Sequence, residues 1–117
     1  MSTAKQTFPD FSVVRSTDVA VHSPEPGLLR RVGAYNDKLF LAEHQMQKGW
    51  VGTRHQHPHD QIVYVVAGLL SITICNETFA VGAGASFVVR GGIEHQAAAL
   101  EDSVVVDVFT PCRYDYL

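Results

Sequence analysis

Three of the chain's six histidines, His55, His57 and His59, fall within five residues, and Gln61 follows two positions on. On an extended segment, side chains at i and i+2 project to the same side, so His55 and His57 can present two imidazoles to one ion. Imidazole nitrogen suits iron, nickel, zinc, copper or manganese. Such a pair is weak by itself. A third donor from the same hairpin and another from a distant strand would complete one face of a five- or six-coordinate site. His95, which opens a later β-like run after Arg90-Gly91-Gly92-Ile93-Glu94, is the distant candidate. Gln61 raises a question of charge. A carboxylate there would be the stronger ligand, whereas a neutral amide leaves the ion's full charge on the site.

A second group of chemically able residues lies near the C-terminus. Asp107 interrupts the run Val104-Val105-Val106-Asp107-Val108-Phe109. Burying an unpaired carboxylate costs on the order of several kcal/mol. Asp107 must therefore be exposed, paired, or turned to a polar cavity. The planar fork of Arg113 matches a carboxylate, and it can equally pair with Asp115 or with a partner chain. His59 can contact a substrate or face solvent from a turn. His44 shares a strand face with Phe40 and Met46 and reads as a core or interface histidine, and His22 as a loop residue. Trp50 and Phe109 can line a sugar pocket or simply fill a barrel.

These residues need strands to hold them. β-like runs recur about every ten residues, separated by turn-forming Asn36-Asp37, Gly68, Asn76, Gly82-Ala83-Gly84 and Gly91-Gly92. No 3.6-residue period lasts beyond two turns, so an all-β sandwich or barrel is expected. If His55 and His57 point inward, parity lets Gln61, Val63 and Val65 continue that face, provided that Pro58 to Asp60 do not slip the register. It puts Val105, Asp107 and Phe109 on one face of the last strand. The alanines after His95 favour a helix, but the segment is too short to stand as one. Residues 1–25, with Pro9 and Pro24, read as an arm or short strands, and residues 26–117 as the barrel.

The chain has 117 residues, which suits one domain, and 46% of them are apolar against 18% charged. That composition can bury a core. A net charge of −3 gives no electrostatic reason to expect nucleic acid or an anionic membrane as partner. Any anion site must be local. The first fourteen residues hold one lysine and no apolar stretch of signal-peptide length. The longest nearly apolar run, Ile62 to Leu70, is too short to span a bilayer. A soluble, cytoplasmic protein is expected, with Cys75 and Cys112 as free thiols.

The spacing Gly49-x5-His55-x-His57-x3-Gln61-x6-Gly68 resembles the first motif of the cupin superfamily, G-x5-H-x-H-x3/4-E-x6-G, with Gln for Glu. Gly84-x5-Arg90-x-Gly92-x2-His95-x3-Ala99 resembles the second, G-x5-P-x-G-x2-H-x3-N, with Arg for Pro and Ala for Asn. The resemblance implies an all-β, single-domain double-stranded β-helix (jelly-roll barrel). It implies His55, His57, Gln61 and His95 as ligands of one divalent transition ion (nickel, iron, zinc or manganese). It also implies a homodimer, with residues 1–25 as an arm of exchanged strands.

Within that superfamily, residues 55–68 and 104–117 are similar to the small KdgF-type cupins of pectin and alginate breakdown. These open the ring of 4,5-unsaturated monouronates to the linear keto form. The resemblance implies Asp107 and Arg113 as catalytic residues, and Arg113, Phe109 and His59 as contacts to a small anionic sugar. Pro111-Cys112-Arg113 departs from the two prolines expected before the arginine. The chemistry suits the residues. Ring opening removes the anomeric hydroxyl proton, breaks C1–O5 and leaves an enolate beside a carboxylate; protonation at C4 gives the keto acid. Asp107 can serve as general base or proton shuttle. A neutral Gln61 keeps a dication's full charge for an anionic substrate. Two other functions share these residues: a cupin dioxygenase, and a non-catalytic metal- or sugar-binding cupin.

Overall fold

The β-branched and aromatic runs become nine antiparallel strands among residues 7–117, which the computed structural model describes. The first six residues of the expected arm lie outside the described residues. The strands are β1 (Val21–Glu25), β2 (Leu28–Tyr35), β3 (Phe40–Met46), β4 (Asp60–Ala67), β5 (Leu69–Ile74), β6 (Glu77–Gly82), β7 (Ser86–Val89), β8 (His95–Ala99) and β9 (Ser103–Thr110). Single 3₁₀ turns at Ser16–Asp18 and Tyr114–Tyr116 are the only helical pieces described. One sheet runs β1-β2-β3-β9-β4-β7 and the other β6-β5-β8. Residues 7–20 lead into β1, which pairs with β2 in the larger sheet and carries His22 opposite Arg30, where a loop was expected. Among the described residues no helix is long and apolar enough to cross a membrane.

The segment His95–Ala99 is a strand despite its alanines. Pairing with β5 on one side (Leu70 opposite Ala99, Ile74 opposite His95) and bridges to Val51 and His55 on the other outweigh its helix propensity. The irregular stretch before β4 is thereby laid along β8, and this brings His55 beside His95.

Strand alternation separates an inner from an outer face. On β3, Phe40, Ala42, His44 and Met46 are buried, and on β9, Ser103, Val105, Asp107 and Phe109. The inner side chains form two apolar clusters. One holds Leu28, Met46, Val63, Val65, Leu70, Ile72 and Val105. The other holds Phe40, Ala42, Phe109 and Cys112. Each large aliphatic or aromatic side chain so buried contributes roughly 1.5–3 kcal/mol. Four strands of the larger sheet each turn one polar residue to the cavity: Arg30 after Leu28, His44 between Ala42 and Met46, Asp107 between Val105 and Phe109, Gln61 before Val63.

Two glycines make this packing possible. Gly68, at φ +94°, turns the chain from β4 into β5, and a Cβ there would collide with Ser103. A Cβ at Gly91 would strike the Pro58 carbonyl oxygen. Its absence lets the 90–92 loop close on the histidine loop, with Gly91 N–H donating to Asp60 Oδ1 at 2.7 Å and Gly92 N–H to the His57 carbonyl at 2.8 Å. Cys75 and Cys112 are free thiols, one exposed and one buried.

Candidate metal centre and cavity

His55, His57 and His95 converge. One nitrogen from each lies within 4.8 Å of those of the other two, and the ring centroids of His55 and His95 are 4.4 Å apart. Paired backbone hydrogen bonds, His55 N to His95 O at 3.0 Å and His95 N to His55 O at 2.9 Å, set that separation. Each ring uses its Nδ1 on a backbone carbonyl two residues away: His55 on Thr53 at 2.8 Å, His57 on His59 at 3.0 Å, His95 on Ile93 at 2.8 Å. A carbonyl only accepts, so each Nδ1 carries a proton, and in the neutral ring Nε2 is then the nitrogen that keeps its lone pair.

The three free lone pairs are what a cation requires. His95 Nε2 is buried with no hydrogen-bond partner among the described residues. His57 Nε2 faces Gln61 Oε1 at 2.9 Å, so two electron-rich atoms meet head-on. A proton on His57 could relieve that contact, but burial pushes the pKa of His57 down, against the upward pull of the Gln61 bond. Burial likewise lowers that of His95. A metal ion would satisfy all four donors at once, so the donor set fits one. Its three neutral imidazoles and one amide oxygen suit a transition dication.

The orientation of Gln61 answers the question its neutrality raised. Its Nε2 donates to Asp107 Oδ1 at 2.7 Å while its Oε1 turns to the imidazoles. Glutamate could accept at the site but could not donate to Asp107. It would set two carboxylates against each other.

These groups open on a cavity of about 340 Å³, large enough for one small molecule. Its polar wall includes Arg30, His55, Gln61, His95, Asp107 and Arg113, and its floor is apolar, with Val63, Ile72 and Phe87 among its residues. Trp50 stands at the wall and donates from Nε1 to Glu25 at 2.6 Å. Asp107 is 4% exposed and is paired with Gln61 and with His44 Nδ1, the latter at 2.6 Å. No arginine pairs with it directly. Arg113 is 6% exposed. Its Nε and Nη2 fork onto Asp115 at 2.9 and 2.7 Å, while Nη1 is buried with no hydrogen-bond partner among the described residues. The internal ion pair is real, and it leaves one guanidinium nitrogen for a ligand.

Two expected substrate contacts stand elsewhere. Phe109 is 1% exposed and packs behind the wall, with the Arg113 guanidinium 4.7 Å above its ring. Strand parity turns it inward, but the Phe40 cluster encloses it. His59 does not line the cavity either. It is half-buried, bonded through Nε2 to the Cys112 carbonyl at 3.1 Å and packed on Phe109, so it is not a solvent-facing turn residue. Its backbone carbonyl, not its ring, orients His57.

Sequence reasoning missed Arg30, Tyr116 and the role of His44. The Tyr116 ring stacks on the guanidiniums of both Arg30, at 3.5 Å, and Arg113, at 4.0 Å. Burial pushes its phenol pKa up, so it stays neutral. The inward parity of His44 was visible. That β3 lies against β9, placing His44 beside Asp107, was not.

Comparison with known proteins shows the family and the fold. A Cupin domain matches residues 42–109. The pectin degradation protein KdgF of Dickeya dadantii (strain 3937) is 34% identical over 93 residues, covering 78% of this chain and 84% of that protein. The structure of KdgF from Halomonas sp. is 37% identical, with a TM-score of 0.86 over 92% of this chain and 99% of that one. An RmlC-like cupin from Shewanella frigidimarina NCIMB 400 is 26% identical, with a TM-score of 0.87 over 92% and 97%. The chain belongs to the cupin family and, within it, to the group of the pectin degradation protein KdgF.

Proposed function

We propose that this cupin is a metal-dependent enzyme that opens the ring of 4,5-unsaturated monouronates derived from pectin or alginate, giving the linear keto acid. The observation that carries the reading is one wall of the cavity. There, four electron-donating atoms converge beside a buried carboxylate and an unpartnered guanidinium nitrogen. The pectin-degradation role of the Dickeya relative supports the substrate class.

His55, His57, Gln61 and His95 would hold a divalent nickel, iron, zinc or manganese ion. When bound, it supplies a Lewis acid where negative charge develops. Arg113 Nη1 binds the substrate carboxylate, while Asp115 and the Phe109 ring fix its fork. Asp107 accepts the anomeric hydroxyl proton and delivers one to C4. Each of its oxygens already takes one protein donor and keeps a second lone pair for this. No atoms are gained or lost, so the net change is an isomerisation. Phe87, Val63 and Ile72 exclude water around the ring.

The test follows the ultraviolet absorbance of the conjugated double bond in unsaturated galacturonate or its alginate-derived equivalent, with oxygen monitored. Loss faster than in buffer, without oxygen uptake, is expected from metal-loaded protein. A rate equal to buffer sinks the reading, and oxygen uptake with a diol substrate would favour a dioxygenase. The working assembly is a cytoplasmic homodimer in which the segment ahead of β1 reaches the second copy; β1 itself, the last part of the expected arm of residues 1–25, pairs with β2 of its own chain. Phe11 and Val13, 82% and 72% exposed on the single chain, support that arm. Light scattering that returns a monomer would refute it.

A further inference from the structure

Two residues of the cavity wall make no hydrogen bond to the imidazole cluster or to Gln61, yet they decide how Gln61 is held. Arg30 Nε donates to His44 Nε2 at 3.0 Å. A guanidinium has no acceptor atom, so His44 Nε2 must be bare and the ring proton must sit on Nδ1. That Nδ1–H donates to Asp107 Oδ2 at 2.6 Å. Asp107 Oδ1 accepts from Gln61 Nε2 at 2.7 Å. An amide held by its nitrogen end turns its oxygen the other way, and Gln61 Oε1 stands 2.9 Å from His57 Nε2.

Two groups in this chain cannot reverse: a guanidinium only donates and a carboxylate only accepts, so the bonds run one way from Arg30 to Gln61. With the His44 Nδ1–H in place, Asp107 takes one donor on each oxygen, and its Oδ1 is held toward the Gln61 amide. Arg30 is held where it is by stacking on Tyr116, which also packs edge-on against His44. Arg30 makes no ion pair with a carboxylate among the described residues.

We propose that Arg30 and His44 are positioning residues of the metal centre: Arg30 fixes the His44 tautomer, His44 fixes Asp107, and Asp107 presents the Gln61 oxygen to the three histidines. This rests on His55, His57, Gln61 and His95 being the ligand set. It adds an outer support that reaches the ligands only through Asp107, the role that buried partners of metal ligands play generally.

The test has two readouts independent of turnover. In ¹⁵N-labelled protein, zinc-loaded and metal-free, long-range proton–nitrogen correlation shows which imidazole nitrogens carry protons. His44 protonated at Nδ1 alone is expected in both, and a proton on its Nε2 overturns the proposal. In zinc titrations, His44→Leu should bind about 10- to 100-fold more weakly than the parent. His44→Asn, whose amide can stand in for Nδ1–H, should stay within about threefold. Parental affinity in His44→Leu, or equal weakening in both variants, overturns the positioning role. Should His44→Leu fail to fold, Arg30→Met tests the first link: the Nε2 proton should then appear on His44, and its absence overturns the tautomer lock. A parent chain that binds no zinc fails the ligand reading itself, and is told apart from a parent that binds zinc while His44→Leu binds it equally.

Discussion

His44 lines the same cavity as His55 and His95, and it uses its nitrogens in the opposite way to the three histidines of the candidate metal centre. In the cluster, each Nδ1 is held by a carbonyl two residues away, and each Nε2 is left facing inward. At His44 both nitrogens are taken, by Arg30 fourteen residues away and by Asp107 sixty-three residues away. Local bonds aim a ring while leaving one end free for a ligand. Long-range bonds at both ends lock a ring and leave nothing for a ligand. Asp107 stands where the two kinds meet, joined to His44 on one oxygen and to Gln61 on the other.

The largest effect should come from the free end. His95→Ala removes a lone pair that has no other partner, and zinc affinity should fall by more than the roughly 100-fold that an outer partner can cost. Metal content after dialysis measures it, and a fully loaded variant would break the contrast. Asp107→Ala tests the junction. At saturating metal, turnover of unsaturated uronate should fall about 10²- to 10⁴-fold while the chain still folds. Loss of the folded circular dichroism signal would make Asp107 a structural residue instead.

Gln61→Glu should leave metal binding intact or stronger and cut turnover roughly tenfold or more, because a charge is added and the donor to Asp107 is lost. Unchanged turnover would show that neither matters. The smallest effect concerns Asp115. The hydrogen bond from Arg113 holds its carboxyl below the usual carboxylate value. A carboxyl lowered in the folded state adds stability above its unfolded pKa and loses it as pH falls through the folded one. Denaturant titrations should therefore show an acid-dependent loss below about pH 4 that is missing in Asp115→Asn. It should stay under about 1 kcal/mol, since the Asp115 side chain is 57% exposed. Identical acid curves for the two proteins would refute it.

How much could be read in advance follows the same division. The i, i+2 spacing of His55 and His57, the alternation on β9 and the glycines at 68 and 91 are local features, and they carry into the fold unchanged. The inward side of Asp107 could be stated because its neighbours alternate. That Phe109 would be sealed behind the cavity, and His59 pinned to the Cys112 carbonyl, depended on which strands and turns became neighbours. Arg113 shows both sides. Its pairing with Asp115, two residues on, was foreseeable, and the burial of its remaining nitrogen was not.

By itself the sequence determined which residues were candidates: three imidazoles at metal-ligand spacing, an amide and a lone carboxylate among valines. Spacing and side-chain chemistry suffice for that, because each depends on residues a few positions apart. Only the tertiary structure decided how those groups are directed. Pairing β2 with β3, β3 with β9 and β9 with β4 sets Arg30, His44, Asp107 and Gln61 in one line of hydrogen bonds. A hydrogen bond acquires its direction only when both partners are in place.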